Sequence, residues 1–289
     1  GRIDQVRIFN KAISATEVTK LYNEVQCANT ITAPESYFNT VLYTGNRPNT
    51  QSITGVGFKP DFVWVKLRSA SGYGAVLANS VSGAQKFLDS SNNSAEVSAA
   101  NSLTSFDTDG FSVGGYGNWN GGASGANGNM VAWNWKAAAA NTTNNDGTIS
   151  STARASQESG FSIVKYTGNG TAGATVGHGL GVEPAMIIWK NLDATSNWLV
   201  YSPLIGTDSQ WLYLNLNSSA QTSGSTNEYP TNKVDPTSSV VTVNGSGSSN
   251  NININGEKTI MYCFANVDGY QRIGSYVGNG SNNGPFIYT

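Results

Sequence analysis

Charge is scarce in this chain. Only 12% of its 289 residues are Asp, Glu, Lys or Arg, about half the usual ~25%. The 16 basic residues are scattered and the net charge is −2, so no basic stripe exists to hold a phosphate backbone, and nucleic acid is excluded as a partner. Two cysteines, Cys27 and Cys263, cannot build a disulfide framework, and the single histidine, His178, rules out a His-rich metal site. No apolar run approaches the ~18 residues of a membrane span, and no charged-then-apolar start marks a signal peptide. Neither membrane insertion nor a metal or cofactor is expected.

Asn, Ser, Thr and Gly take the place of charge: they number 34, 34, 26 and 33, more than two residues in five. The chain is still not of disordered composition, because 38% of it is hydrophobic and 10% aromatic, and disordered segments lack aromatics and β-branched residues. Small polar residues and glycine between aromatic and Val/Ile runs give many short strands joined by polar loops. The fold class is all-β. Abundant amides and hydroxyls suit an extracellular or virion protein whose partner is neutral, such as sugar.

At the start, Val6 and Ile8 flank Arg7 in a strand-like alternation, and Ser14-Ala15-Thr16-Glu17 is a capping box for a short helix over 15–24. One strand and one helix cannot bury a core alone. The run from Ile3 to Ser14, with Glu17-Val18 and Leu21-Tyr22, resembles the closing strand and helix of laminin-G-like, concanavalin A-like lectin domains. That resemblance covers residues 1–25, implies a lectin-like domain upstream, and brings no site residue.

The rest is an internal repeat. Tyr43-Thr44-Gly45-Asn46 recurs at Tyr166-Thr167-Gly168-Asn169 and again as Tyr276-Val277-Gly278-Asn279. The run from Lys59 to Lys66 keeps step with that from Glu183 to Lys190, and Val131-Ala132-Trp133-Asn134-Trp135 with Ile260-Met261-Tyr262-Cys263-Phe264. This divides the chain into a linker at 26–35, a repeat at 36–137, a polar connector at 138–157, a second repeat at 158–266 and the start of a third at 267–289. Strands are predicted near 38–43, 61–67, 74–78, 85–89, 110–114 and 130–136. In the second copy they fall near 161–166, 185–190, 198–201, 210–215, 239–243 and 258–264. Six or so strands per copy fit a small, jelly-roll-like β-sandwich. Trp64 and Trp189 fall one position apart in the alignment and are expected on different faces. The two-residue period puts Trp133 and Trp135 on one face, expected to be core, and Asn134 on the opposite face, expected to be wet.

The repeat resembles a domain of uncharacterised function found in phage tail and fibre proteins. The residues that carry this are the run from Gly160 to Gly170, the run from His178 to Pro184, Trp189-Lys190-Asn191, and upstream the run from Asn144 to Ser150. The resemblance implies a virion setting, a structural and adhesion role toward host-surface glycans, and no mapped catalytic residue, hence no enzymatic activity. Other readings of the chain are a polysaccharide-depolymerising tailspike and a bacterial surface adhesin. Exposed strand edges in a charge-poor chain invite pairing between copies. With the fibre resemblance this points to a homotrimer with modules strung along its axis, alongside other virion tail proteins.

The candidate ligand-binding residues are Tyr116, Asn118, Trp119 and Asn120, in a glycine-rich loop at 114–129. Loop aromatics can stack on a sugar face and amides can bond its hydroxyls. His178, in Gly177-His178-Gly179, is read as a local hydrogen-bonding residue, its glycines as turn-makers. Asp107-Thr108-Asp109-Gly110 starts like a calcium loop but lacks the remaining ligands, so it is read as a turn. The acids are too thinly spread to single out the carboxylate pair that glycoside hydrolysis needs.

Overall fold

The computed structural model describes residues 12, 14–15, 31, 33–206, 210–222, 234–244 and 252–285. The strand expected in the first ten residues, and all but the first residue of the helix expected at 15–24, lie outside the described residues. With them goes the laminin-G-like resemblance.

After a single 3-10 turn, Pro34–Ser36, the first module runs through β1 (Phe38–Thr44), β2 (Gln51–Ile53), β3 (Phe62–Leu67), β4 (Val76–Asn79), β5 (Lys86–Asp89), β6 (Val97–Ser98), β7 (Leu103–Asp107), β8 (Gly110–Val113) and β9 (Asn129–Trp135). A large antiparallel sheet has the order β1-β9-β3-β4-β5-β6, and a small one β2-β8-β7 packs on it. Alternation along β3 explains the sandwich. Val63, Val65 and Leu67 point inward, where they meet Phe111, Val113, Met130 and Ala132, because successive side chains leave a strand on opposite faces.

The second module follows as β10 (Thr142–Asn144), β11 (Ser151–Ser156), β12 (Phe161–Thr167), β13 (Ala174–Gly177), β14 (Met186–Asn191), β15 (Leu199–Tyr201), β16 (Gln210–Tyr213), β17 (Gln221–Thr222), β18 (Val240–Val243) and β19 (Lys258–Phe264). Its large sheet has the order β10-β11-β12-β19-β14-β15-β16-β17, and β13 pairs with β18 in the small one. From β12 onward this is the order of the first module. The register agrees too: Phe62 lies opposite Trp135 as Met186 lies opposite Phe264. Trp189 is in the inner core of the second module and Trp64 on the outer face of the first.

The polar connector contributes strands of its own. β10 and β11 form a hairpin that adds two strands beyond β12, with Ser151 opposite Tyr166 and Ser156 opposite Phe161. Its side chains are too small and polar to advertise a strand by hydropathy, yet Ala153 is buried in the core and Arg154 points the other way.

The two modules lie back to back. The outer faces of their large sheets share one core, in which Phe62, Leu77 and Leu88 of the first meet Phe161, Tyr262 and Phe264 of the second. Polar groups seal the seam. Asp61, 3% exposed, pairs with Arg154 and accepts the Ala137 N–H at 2.8 Å. The Trp198 indole N–H is shared between the carbonyls of Asp89 and Asn92, 3.1 Å from each.

Two expectations are corrected here. Trp133 and Trp135 do not face the module's own core; Ala132 and Asn134 do, and Asn134 is fully buried, its amide donating to the Asn39 carbonyl at 3.1 Å. Trp135 instead packs into the shared seam, with its ring 6.3 Å from that of Phe264. The two modules bury their outer sheet faces against each other. The aromatic face that would need a covering chain is covered by the neighbouring copy.

Candidate functional site

The glycine-rich loop folds inward. Turns from Tyr116 O to the Trp119 and Asn120 N–H groups bring the indole into the core, fully buried and 6.2 Å from the Phe87 ring. Asn120 is also fully buried. Its amide oxygen accepts the Asn46 N–H at 2.7 Å and the Gln51 amide at 2.8 Å, and its NH2 donates to Asn49 O and Gly114 O at 2.8 and 2.9 Å. Tyr116 is half-buried against Phe87, and the Asn118 amide donates to Gly74 O at 3.3 Å. The predicted glycan contact is thus corrected for Trp119 and Asn120: neither can reach a sugar. Composition marks this stretch as an exposed loop, but a close backbone approach draws it in.

That approach explains the repeated Tyr-Thr-Gly-Asn. A Cβ on Gly45 would lie 2.2 Å from Gly121 Cα, well inside any tolerable contact, and Gly121 itself has φ +91°, a region that favours glycine. The Tyr43 hydroxyl donates to Trp119 O at 2.6 Å, one residue before the clamping Asn120. The second copy repeats each part. Tyr166 donates to Ile252 O at 2.7 Å, the Asn169 N–H donates to Asn253 Oδ1 at 2.9 Å, and a Cβ on Gly168 would lie 2.3 Å from Ile254 O. The motif is a clasp between β1 or its counterpart β12 and the loop before the last strand of the module. Burial pushes both phenols well above their ordinary range.

His178 is fully buried between two backbone groups. Its Nδ1 accepts the Leu180 N–H at 3.2 Å, which leaves Nε2 to donate to Thr237 O at 3.1 Å. This fixes the neutral ring, and burial lowers its pKa. Asp109 accepts the Gly55 and Gly57 N–H groups at 3.0 and 2.6 Å, bonds that hold its carboxyl below the usual range. Asp107 accepts the hydroxyls of Ser105 and Ser112, each at 2.7 Å. Among the described residues no three His, Cys, Asp or Glu side chains cluster as metal ligands.

The loop that His178 anchors forms one wall of a groove of about 390 Å³. Leu180, Gly181 and Val182 face Gln157 on the β11–β12 turn and residues 266–268 just after β19. Leu180 and Val267 are buried, while Val182 is 47% exposed. The polar lining is two amides, Gln157 and Asn266, and one carboxylate, Asp268. Such a groove can take a neutral polar ligand with one apolar face, and its single carboxylate does not make an acid–base pair. The sequence pointed to the glycine loop of the other module instead, because no aromatic marks this groove.

Residues 33–289 match the family described as Domain of unknown function (DUF7483), and the chain belongs to it. No curated protein and no solved structure matches.

Proposed function

We propose that this chain is a structural and adhesion segment of a phage tail fibre or a similar virion appendage, displayed outside the cell and contacting host-surface glycans without turning them over. One observation supports it most. What the two copies hold in common is the clasp and the sandwich core, while the acids and the histidine singled out in the sequence are engaged by neighbouring backbone and hydroxyl groups of their own module. A duplicated unit that keeps its architecture and varies its surface fits a display scaffold.

On this reading the groove beside Asp268 is the glycan contact, with amides and carboxylate for hydroxyls and Val182 and Val267 for the apolar sugar face. The fibre reading also implies a homotrimer. Its contacts would come from loops and strand edges, since the aromatic sheet faces meet within the chain. The test is a glycan array probed with the intact protein, alongside Asp268→Ala and an assay for released reducing sugar. Retained glycans that Asp268→Ala loses, with no sugar released, are the expected result. Robust turnover would replace this reading with a depolymerising tailspike. Light scattering on the intact protein tests the trimer.

A further inference from the structure

The third copy of the clasp motif stands open. Tyr43 and Tyr166 close on a loop of their own module, but Tyr276 is 68% and Val277 88% exposed. Gly45 and Gly168 leave no room for a methyl group, whereas a Cβ on Gly278 would meet nothing within 4 Å. Asn279 spends its side chain locally, donating to Asn283 O at 2.8 Å and accepting the Ser281 N–H at 3.0 Å. The lead-in is anchored: the Val267 N–H donates to Gln271 O at 2.8 Å, and Ile273 packs against the seam between the modules. Beyond it the chain takes no regular structure through 285.

We propose that residues 271–279 are an acceptor strand for another module of this same family. The partner would lay its last strand antiparallel to this one, as β9 lies on β1 and β19 on β12, with backbone bonds supplying affinity as in strand addition. Its preceding loop would bring an apolar residue followed by Asn. The apolar residue's carbonyl accepts the Tyr276 O–H, and the Asn amide oxygen accepts the Asn279 N–H. Gly278 lets the two backbones touch. Both observed clasps use these groups, through Trp119–Asn120 and Ile252–Asn253. A generic apolar partner would need neither the glycine nor the asparagine. Those two pairs are already engaged, so a second copy could supply one only by opening its own module. The occupant is therefore a module of this kind whose own apolar-Asn pair is free.

The test adds a synthetic peptide of residues 250–266, which holds Ile252, Asn253 and β19, to the intact protein and follows amide exchange by mass spectrometry. Exchange across 271–279 should slow by about tenfold or more. The effect should vanish when the peptide carries Asn253→Ala or the protein carries Gly278→Val. Gly278→Val should melt at the wild-type temperature in the absence of peptide, because nothing packs on that position. No slowing at millimolar peptide, equal slowing by both peptides, or slowing confined to β12 and β14 would overturn the proposal. So would a lowered melting point of Gly278→Val alone.

Discussion

The ring of Phe62 lies 4.7 Å from that of Tyr262, tilted by 53°, so an aromatic pair joins the two modules across their seam. Phe62 also meets Trp135 at 5.2 Å and Phe161 at 5.9 Å. The Tyr262 hydroxyl reaches back to accept the Asn79 amide at 3.0 Å. Each module therefore completes the burial of the other, and their stabilities are coupled.

Phe62→Ala should lower the stability of both modules together by about 3–5 kcal/mol, the usual cost of emptying a large aromatic site. Calorimetry on the wild type should show one cooperative transition, which the variant shifts down as a unit. Two separable transitions in the wild type would refute the coupling.

The clasps should differ in strength. Asn120 satisfies four partners and Asn253 two, the Asn169 N–H and Thr171 O. Each buried group left unpaired costs about 1–3 kcal/mol before relaxation. Asn120→Ala should therefore destabilise more than Asn253→Ala, by about 3 kcal/mol or more against about 2. Urea denaturation measures both, and equal losses would contradict the clasp assignment.

Much of this fold was legible because strand alternation and the repeated Tyr-Thr-Gly-Asn are local signals. The predicted strand at 61–67 follows from period two, and the opposite faces of Trp64 and Trp189 from period two with their one-position offset between the copies. The role of the motif was not legible, because Gly45 and Gly121 meet only in the folded module. The face of Trp135 was misread for a related reason. A face covered by the neighbouring module looks from sequence like an ordinary core, which hides that Asn134 points inward. The hairpin of β10 and β11 was hidden by small side chains, and the groove beside Asp268 joins three segments that share no motif.

Acid should loosen the His178 loop. The folded pKa lies below the ordinary 6.5 because burial outweighs the opposing pull of Thr237 O and of Asp146. The unfolded chain then binds the proton first, so this contribution is whole above about pH 6.5 and falls as the pH drops toward the folded value. Protonation also places a hydrogen on Nδ1, where the Leu180 N–H now points. The difference in melting temperature between wild type and His178→Gln should hold steady above pH 6.5 and shrink below it. A constant difference from pH 8 to pH 5 would count against this account.

Lys190 should act in the opposite range. Its side chain is fully buried, and its Nζ donates to Asn191 O at 2.8 Å and Ser196 Oγ at 3.2 Å. Burial pulls its pKa down from 10.5 to about 8. Between these values the unfolded chain holds the proton more tightly, so the Lys190 contribution rises with pH by about 2–3 kcal/mol across the window. Lys165, also lowered by burial, adds a contribution of the same sign. Cys263 opposes them: burial pushes its thiol from 9.0 up to about 12, so the unfolded chain ionises first above pH 9 and stability falls. The buried phenols Tyr43, Tyr166 and Tyr262 add to that fall above pH 10. Total stability should therefore climb from pH 8 to 9 and decline beyond 10. The difference between wild type and Lys190→Met isolates the lysine: it should grow steadily in the wild type's favour from pH 8 to 10.5, as read by urea denaturation at fixed ionic strength. A flat difference would mean that the ammonium keeps its ordinary pKa within the fold.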